Sequence, residues 1–283
     1  MEWSDLRIFL AVARSGTLGA AARKLGQTQP TVGRRIRALE ESVGHALFQR
    51  TTEGFVLTDE GATILRHAEH MEEEALAIER GLAGGEAQLT GLLRISSSDW
   101  FGVHMLTPVI AEFTTMHPHV TVELVTDARL LSLARREADL AFRIRRFDEP
   151  DVLQRKLMHV EYGLYGSETT APPKAGDGSN SALLTMDTGF GDLPDAVWLK
   201  KMLPNARVAF QSNNRDAQAQ ACVSGAGIAV LPKPLAERTP GLRLIDLGAQ
   251  PPGRDTWVGY HRDLKRLARL RMLLDMVIDR LAD

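Results

Sequence analysis

The sequence predicts an α/β protein that carries an all-α, winged helix-turn-helix unit at its N-terminus. Three observations predict it. Two short helical patterns flank a glycine turn in Thr17–Leu39, and the second has an arginine-bearing outer face. A seam of apolar residues spaced 4, 3, 4, 3, 4 follows from Ile64 to Leu82. From about Leu89 onward, strand-like and helix-like patterns alternate, which argues for a parallel sheet.

Leu6, Phe9, Leu10 and Ala13 form one stripe of an amphipathic helix. Ser4 is placed to cap its start, and Ser15-Gly16 ends it. Thr17 caps a second helix with the stripe Leu18, Ala21, Ala22 and Leu25, whose alanines allow close helix approach. Gly26 stands where the chain turns sharply, and Gly tolerates positive φ there. Thr28 caps a third helix. Pro30 falls in its first turn, where a missing N–H costs nothing. Val32, Ile36, Leu39 and Val43 are its buried stripe. Thr31, Arg34, Arg35 and Ala38 share another face, and Gln29 lies at the N-terminal end that reaches base edges in helix-turn-helix proteins. A plain three-helix bundle with a solvated basic face would explain the arginines. It would not explain why cap, turn and proline agree.

Leu47–Arg50 and Phe55–Leu57 flank Thr51–Gly54 and read as a hairpin, a wing that sets Arg50 beside phosphate. Residues 1–58 hold eight Lys/Arg against five Asp/Glu, a net +3, while the whole chain is −2, so the remainder carries −5. The asymmetry puts a surface for double-stranded DNA at the N-terminus.

Thr58, Asp59 and Glu60 open a long helix, with acids in the first turn as the helix dipole favours. Within it Ile64, Ala68, Met71, Ala75, Ile78 and Leu82 form a heptad seam, which predicts pairing of two chains. The alternative is a helix packed on its own domain. It is disfavoured because the preceding 58 residues offer little surface to cover it. Gly81, Gly84 and Gly85 mark a linker. The expected division is a DNA-binding domain at 1–58, a dimerising linker helix at 59–87 and a sensing domain at 88–283.

In the sensing domain, Leu92–Ser96 reads as a strand running into Ser97-Ser98-Asp99. A helix with Leu106, Val109, Ile110 and Phe113 on one face stops at His117-Pro118. Val120–Val125 reads as a strand, Leu130–Glu137 as a helix and Asp139–Ile144 as a strand. The stretch between Tyr165 and Leu183 is rich in Pro, Gly and Ser and reads as loop. Ser224–Pro232 reads as helix end, glycine turn and buried strand. Leu267, Leu270, Leu274, Val277, Ile278 and Leu281 pattern a closing amphipathic helix.

The run from Phe9 to Gly61 (FLAVARSGTLGAAARKLGQTQPTVGRRIRALEESVGHALFQRTTEGFVLTDEG) resembles, without a gap, the N-terminal domain of LysR-type transcriptional regulators. Trp257–Asp263 is also similar, and the likeness covers nearly the full length. It implies an effector domain of two α/β subdomains resembling type II periplasmic binding proteins, with subdomain I at about 88–161 and 262–283 and subdomain II at about 162–261. It further implies homodimers assembled into a homotetramer that reads paired promoter half-sites, with RNA polymerase a further candidate partner. Gly33 stands where the family often has Ser, and the Gly26-Gln27 turn is atypical, so a DNA sequence preference does not carry over.

Open α/β sheets bind ligands beyond the carboxyl ends of their strands. That places an effector among Ser97, Ser98, Asp99 and Trp100, then Asp127 and Arg129, then Arg143 and Arg145. Asn213 and Asn214, following Ser212, face them from the other subdomain and cap a helix; Thr185–Asp187 is a weaker candidate. Paired arginines point to a carboxylate-bearing effector held bidentately. The sequence equally allows Arg143 and Arg145 to pair with Asp99, Asp127 or Glu149, or to face water. Trp100 would stack on an aromatic effector or belong to the core.

Other chemistry is sparse. Cys222 is the only cysteine, so no disulfide framework is expected, and its apolar helix reads it as a core residue. His67 with His70, and His117 with His119, lack a third ligand in reach, so no metal and no cofactor are expected. No Walker-type loop and no Ser nucleophile elbow appear, which argues against an enzyme. The first twenty residues are a helix rather than a signal peptide. No apolar run approaches the roughly 20 residues that span a membrane, so a cytoplasmic protein with no membrane partner is expected. The composition, 44% hydrophobic and 25% charged, is ordinary for a globular chain. The rival reading is a small-molecule binding protein or enzyme on the same scaffold, with the N-terminus used for assembly. A pure binder needs neither a basic reading helix nor a wing.

Overall fold

The computed structural model describes residues 2–52, 54–82, 89–127 and 131–282. The chain divides into two units, Met1–Gln88 and Leu89–Asp283. The first holds α1 (Trp3–Ser15), α2 (Leu18–Leu25), α3 (Gln29–Val43), β1 (Phe48–Thr51), β2 (Gly54–Leu57) and α4 (Asp59–Leu82). Its core is a fully buried set that includes Phe9, Val12, Ala21, Val32, Leu39 and Leu47. Thr17 caps α2 by accepting from Ala20 N at 3.2 Å, and Thr28 caps α3 by accepting from Thr31 N at 3.4 Å. Gly26 turns the chain between them at φ 64°. The start of α1 departs from expectation: Glu2 caps it, not Ser4, which lies inside the first turn. Glu2 N donates to Asp5 Oδ2 at 3.3 Å, a reciprocal box that answers two orphan N–H groups where a lone hydroxyl answers one.

β1 and β2 form the wing, with Arg50 opposite Phe55 and Thr51 opposite Gly54. Gly54 is required: φ is +137°, and a Cβ there would lie 2.4 Å from Gly16 O. The next residue, Phe55, donates its N–H to that same oxygen at 2.8 Å and ties the wing to the end of α1.

The seam on α4 is corrected in its first half. Ala68 is fully buried, and Ile64 and Leu65 pack against the same core as α1–α3. Arg14 of α1 holds Glu72 at 2.7 Å. The hairpin and α1 together present more apolar surface than a count of 58 residues suggests, so these positions face inward rather than toward a second chain. Met71 is 44% exposed and Ala75 half-buried. The side chains of Ile78, Gly81 and Leu82, and all of Gly84 and Gly85, lie outside the described residues.

The second unit begins with β3 (Gly91–Ser97), α5 (Asp99–Phe101), a π-type turn (Gly102–Leu106), α6 (Thr107–Met116), β4 (Val120–Thr126), β5 (Leu140–Arg143) and β6 (Val152–Val160). Then come β7 (Tyr162–Ser167), β8 (Ala182–Thr185), α7 (Pro194–Met202), β9 (Arg207–Gln211), α8 (Arg215–Val223) and β10 (Ala229–Pro232). α9 (Lys233–Ala236), β11 (Leu242–Ile245), β12 (Arg254–His261) and α10 (Ala268–Leu281) complete it. One sheet has the order β4-β3-β5-β12-β6, with β3 parallel to β4 and β5. The other half holds β10-β7-β11 and the parallel pair β8-β9. Two α/β subdomains result.

Three local expectations change. The described part of Leu130–Glu137 is turn, not helix. Ser132 N donates to Glu137 Oε2 at 2.7 Å, and Arg136 takes a left-handed φ of 53°, so side chains satisfy N–H groups that a helix would otherwise bond. β7 runs to Ser167, so the expected loop starts later. β12 lies antiparallel between β5 and β6, which puts Arg254–His261 in the sheet of the first subdomain rather than the second.

Candidate nucleic-acid interface and ligand cavity

The outer face of α3 is built by helical spacing. Pro30, Thr31, Arg34, Arg37, Ala38 and Glu41 line one shallow concave surface. Thr28, Gln29 and Arg34 are exposed, as is Arg50 on the wing. The hydroxyls of Thr28 and Thr31 lie 2.8 Å apart, so both serve the cap. Arg35 is a correction: it does not share this face. Its Nε donates to Asp5 Oδ1 at 2.6 Å, which pins α3 to α1. Arg37, which sequence reasoning missed, takes its place. The spacing Pro30, Arg34, Arg37, Glu41 was the available signal. Gly33 sits where α3 meets α2; a Cβ there would lie 3.3 Å from Leu18 Cδ1.

A cavity of about 220 Å³ opens between the two halves of the second unit. Ser97, Ser98, Asp99 and Trp100 line it from the end of β3, and Asp127 from the end of β4. Asn213 and Asn214 line it from the opposite half, where Asn214 caps α8 by accepting from Ala217 N at 2.8 Å. Met186 contributes too, whereas Arg129 lies outside the described residues. Phe142, Tyr162, Phe190 and Leu193 make much of the wall apolar. Trp100 is 2% exposed and packs edge-on to Phe101 at 5.4 Å, so it is core and cavity wall at once.

The arginine pair is not a pair. Arg143 reaches the cavity, but its Nη2 donates to Leu131 O at 2.7 Å. It also lies 3.4 Å from Glu149 and 4.3 Å above the Phe147 ring. Arg145 is exposed beyond the end of β5 and does not line the cavity. The strand ends at Arg143, so alternation no longer sets the side of the next arginine.

The cationic side of the cavity lies elsewhere. Arg215 and Arg254, 5% and 8% exposed, both pair with Asp195, which is 1% exposed. Arg215 also donates to Val230 O at 2.9 Å and to Gln218 at 3.1 Å. Arg254 lies 5.2 Å over the Tyr162 ring. Burial pushes the pKa of both arginines down. Asp99 accepts from Arg215 N at 2.5 Å, and His104 meets Asp216 at 2.6 Å; with the Arg254–Asp195 pair, these contacts join the subdomains beside the cavity. Burial raises the Asp99 pKa against the opposing N–H groups of Trp100 and Arg215. Sequence reasoning missed Arg215, Arg254, Thr256 and Asp195. Arg215 directly follows the asparagines it named; Arg254 and Thr256 alternate on a strand assigned to the other subdomain.

The family model described as "LysR substrate binding domain" matches residues 86–282, well over half of the chain. The model "Bacterial regulatory helix-turn-helix protein, lysR family" matches residues 3–62. The chain belongs to the LysR family. The HTH-type transcriptional regulator CrgA of Neisseria meningitidis is 27% identical over 99% of this chain and 97% of its own. The solved structure of CrgA superposes with a TM-score of 0.61 at 25% identity, covering both chains fully. The full-length LysG structure from Corynebacterium glutamicum, described with bound effector Arg, gives 0.68 at 21% identity over all of both chains. As a LysR-type regulator, this chain pairs a DNA-binding helix-turn-helix unit with a periplasmic-binding-protein-like sensing unit. Among the described residues no helix is long and apolar enough to cross a membrane, and no cluster of three metal-ligating side chains occurs.

Proposed function

We propose that this LysR-type regulator reads paired promoter half-sites as an oligomer and is switched by a small carboxylate-bearing effector in the cavity of its second unit. The carrying observation is the exposed α3 face with Arg34 and Arg37 in the stretch 1–58, which carries a net +3. Gln29 at the start of α3 reads base edges, and Arg34, Arg37 and Arg50 contact phosphate or base. The exposed Met71 and the helix beyond it supply the contact between chains. The protein works in the cytoplasm and catalyses no reaction.

Mobility shift on the DNA upstream of its own coding region tests this. Binding is expected to be sequence-selective and to weaken steeply with salt, since each phosphate contact releases counterions. Arg37→Ala should lower the salt slope by about one charge if Arg37 meets phosphate. Sequence-indifferent binding, or none, by a pure oligomer would sink the reading.

A further inference from the structure

The cavity in the second unit has a polar end that its own chain leaves unsatisfied. Ser97 Oγ, Thr256 Oγ1 and Arg254 Nε are buried and have no hydrogen-bond partner among the described residues. Their residues are 3%, 2% and 8% exposed, and all three line the cavity. Buried polar atoms are normally bonded, so unpartnered donors on a cavity wall mark positions for ligand atoms; Thr256 and Arg254 share β12, whereas β5 lies between them and Ser97 on β3. Their chemistry defines those atoms. Arg Nε–H only donates, and both hydroxyls are able to donate. The ligand atoms are therefore acceptors.

Charge narrows it further. Arg215 is fully engaged by Asp195, Gln218 and Val230 O. Arg254 shares Asp195 with it, so two guanidinium groups meet one carboxylate. A buried guanidinium short of a counter-charge is expensive. Of the acids that also line the cavity, Asp99 accepts from the Arg215 backbone, and Asp127 stands beside Ser97, to whose carbonyl it donates its N–H at 3.2 Å; neither is paired with Arg254 among the described residues. Arg254 and Thr256 are two apart on β12 and point the same way, so they form one donor edge.

Resting on the reading that this cavity is the effector site, we propose that the effector's carboxylate binds at Arg254 and Thr256 rather than at Arg143 and Arg145. Its body is apolar and lies against Trp100, Phe142 and Phe190. Arg254 is thus the specificity-determining residue, held in place by Asp195 and the Tyr162 ring.

The test uses the full-length protein, with benzoate, hexanoate and phenylacetate as probes and their primary amides as neutral counterparts. Binding is read by calorimetry and by thermal shift. The acids are expected to bind, and the amides to bind at least about tenfold more weakly, as loss of a charge-assisted hydrogen bond implies. Thr256→Val and Arg254→Lys should each weaken the acids about tenfold or more. Both are mild: the first keeps shape, and the second keeps a cation beside Asp195 while removing Nε. A far-UV spectrum and melting temperature near wild type show that each variant is folded. Equal binding of acids and amides overturns the inference and leaves the cavity reading intact. So does unchanged acid binding in both variants. If none of the six probes binds the wild type, the inference and the carboxylate reading fall together.

Discussion

At the residue scale, what a charged side chain does here depends on what lies within 3 Å of it. Arg34, Arg35 and Arg37 are adjacent on one helix, yet Arg35 is consumed by Asp5 and the other two are not. Arg35→Ala should therefore lower the stability of the first unit by about 1 kcal/mol and leave the salt dependence of DNA binding unchanged. Denaturant titration and a salt series separate the two effects. A shallower salt slope with unaltered stability would put Arg35 back on the DNA. Cys222 makes the opposite point. It is fully buried, and burial pushes its thiol up to about 12. An unfolded thiol ionises near 8.5. The unfolded state therefore loses a proton before the folded one, and stability falls as pH rises from about 8.5 toward 12. Cys222→Ala should flatten that limb of the profile, and the native thiol should resist alkylation until the protein unfolds. Rapid alkylation of folded protein would contradict this placement.

At the element scale, local signals were legible and partners were not. The caps at Thr17 and Thr28, the turn at Gly26 and the wing register follow from residues within one or two turns of each other. Such short-range chemistry is written in the sequence. The two faces of α4 are not, because a heptad spacing looks the same whether its partner is a second chain or the chain's own core. Ala68 shows which partner won. Ala68→Leu should overpack the first unit and cost about 1–3 kcal/mol. Met71→Lys, on an exposed position, should leave the melting temperature close to wild type and weaken self-association, read by light scattering. Melting by Met71→Lys, with Ala68→Leu neutral, would reverse the assignment of faces. The cavity shows the same limit. The β3-end serines and Asn213-Asn214 were found because they border predicted elements. Arg254 was missed because β12 crosses back into the first sheet, a long-range pairing that no local pattern announces.

At the scale of the whole molecule, the sensing unit is divided into halves bridged by polar contacts beside the cavity, and each such contact weighs on how the halves are held. Asp99 bonds the backbone of Arg215 across the gap, and Asp216 sits next along the chain, bonded to His104. Burial, reinforced by the charge of Asp216, raises the Asp99 pKa above its ordinary 3.8. The sign follows from linkage. Between 3.8 and the raised folded value, the folded state binds more protons than the unfolded state, so the Asp99 contribution to stability grows as pH falls through that window. Above it both states are ionised, and the burial cost of the charge is carried in full. Asp99→Asn keeps an acceptor for Arg215 N and removes the charge. Relative to this variant, the wild type should lose stability as pH rises from about 4 toward neutral, with the difference constant beyond. Asp99→Ala leaves Arg215 N unanswered and should cost about 1–3 kcal/mol across the range. Thermal melts of all three proteins from pH 4 to 8 decide it. Parallel wild-type and Asn curves would show that Asp99 titrates as it does in water, and that the bridge to Arg215 carries no burial cost.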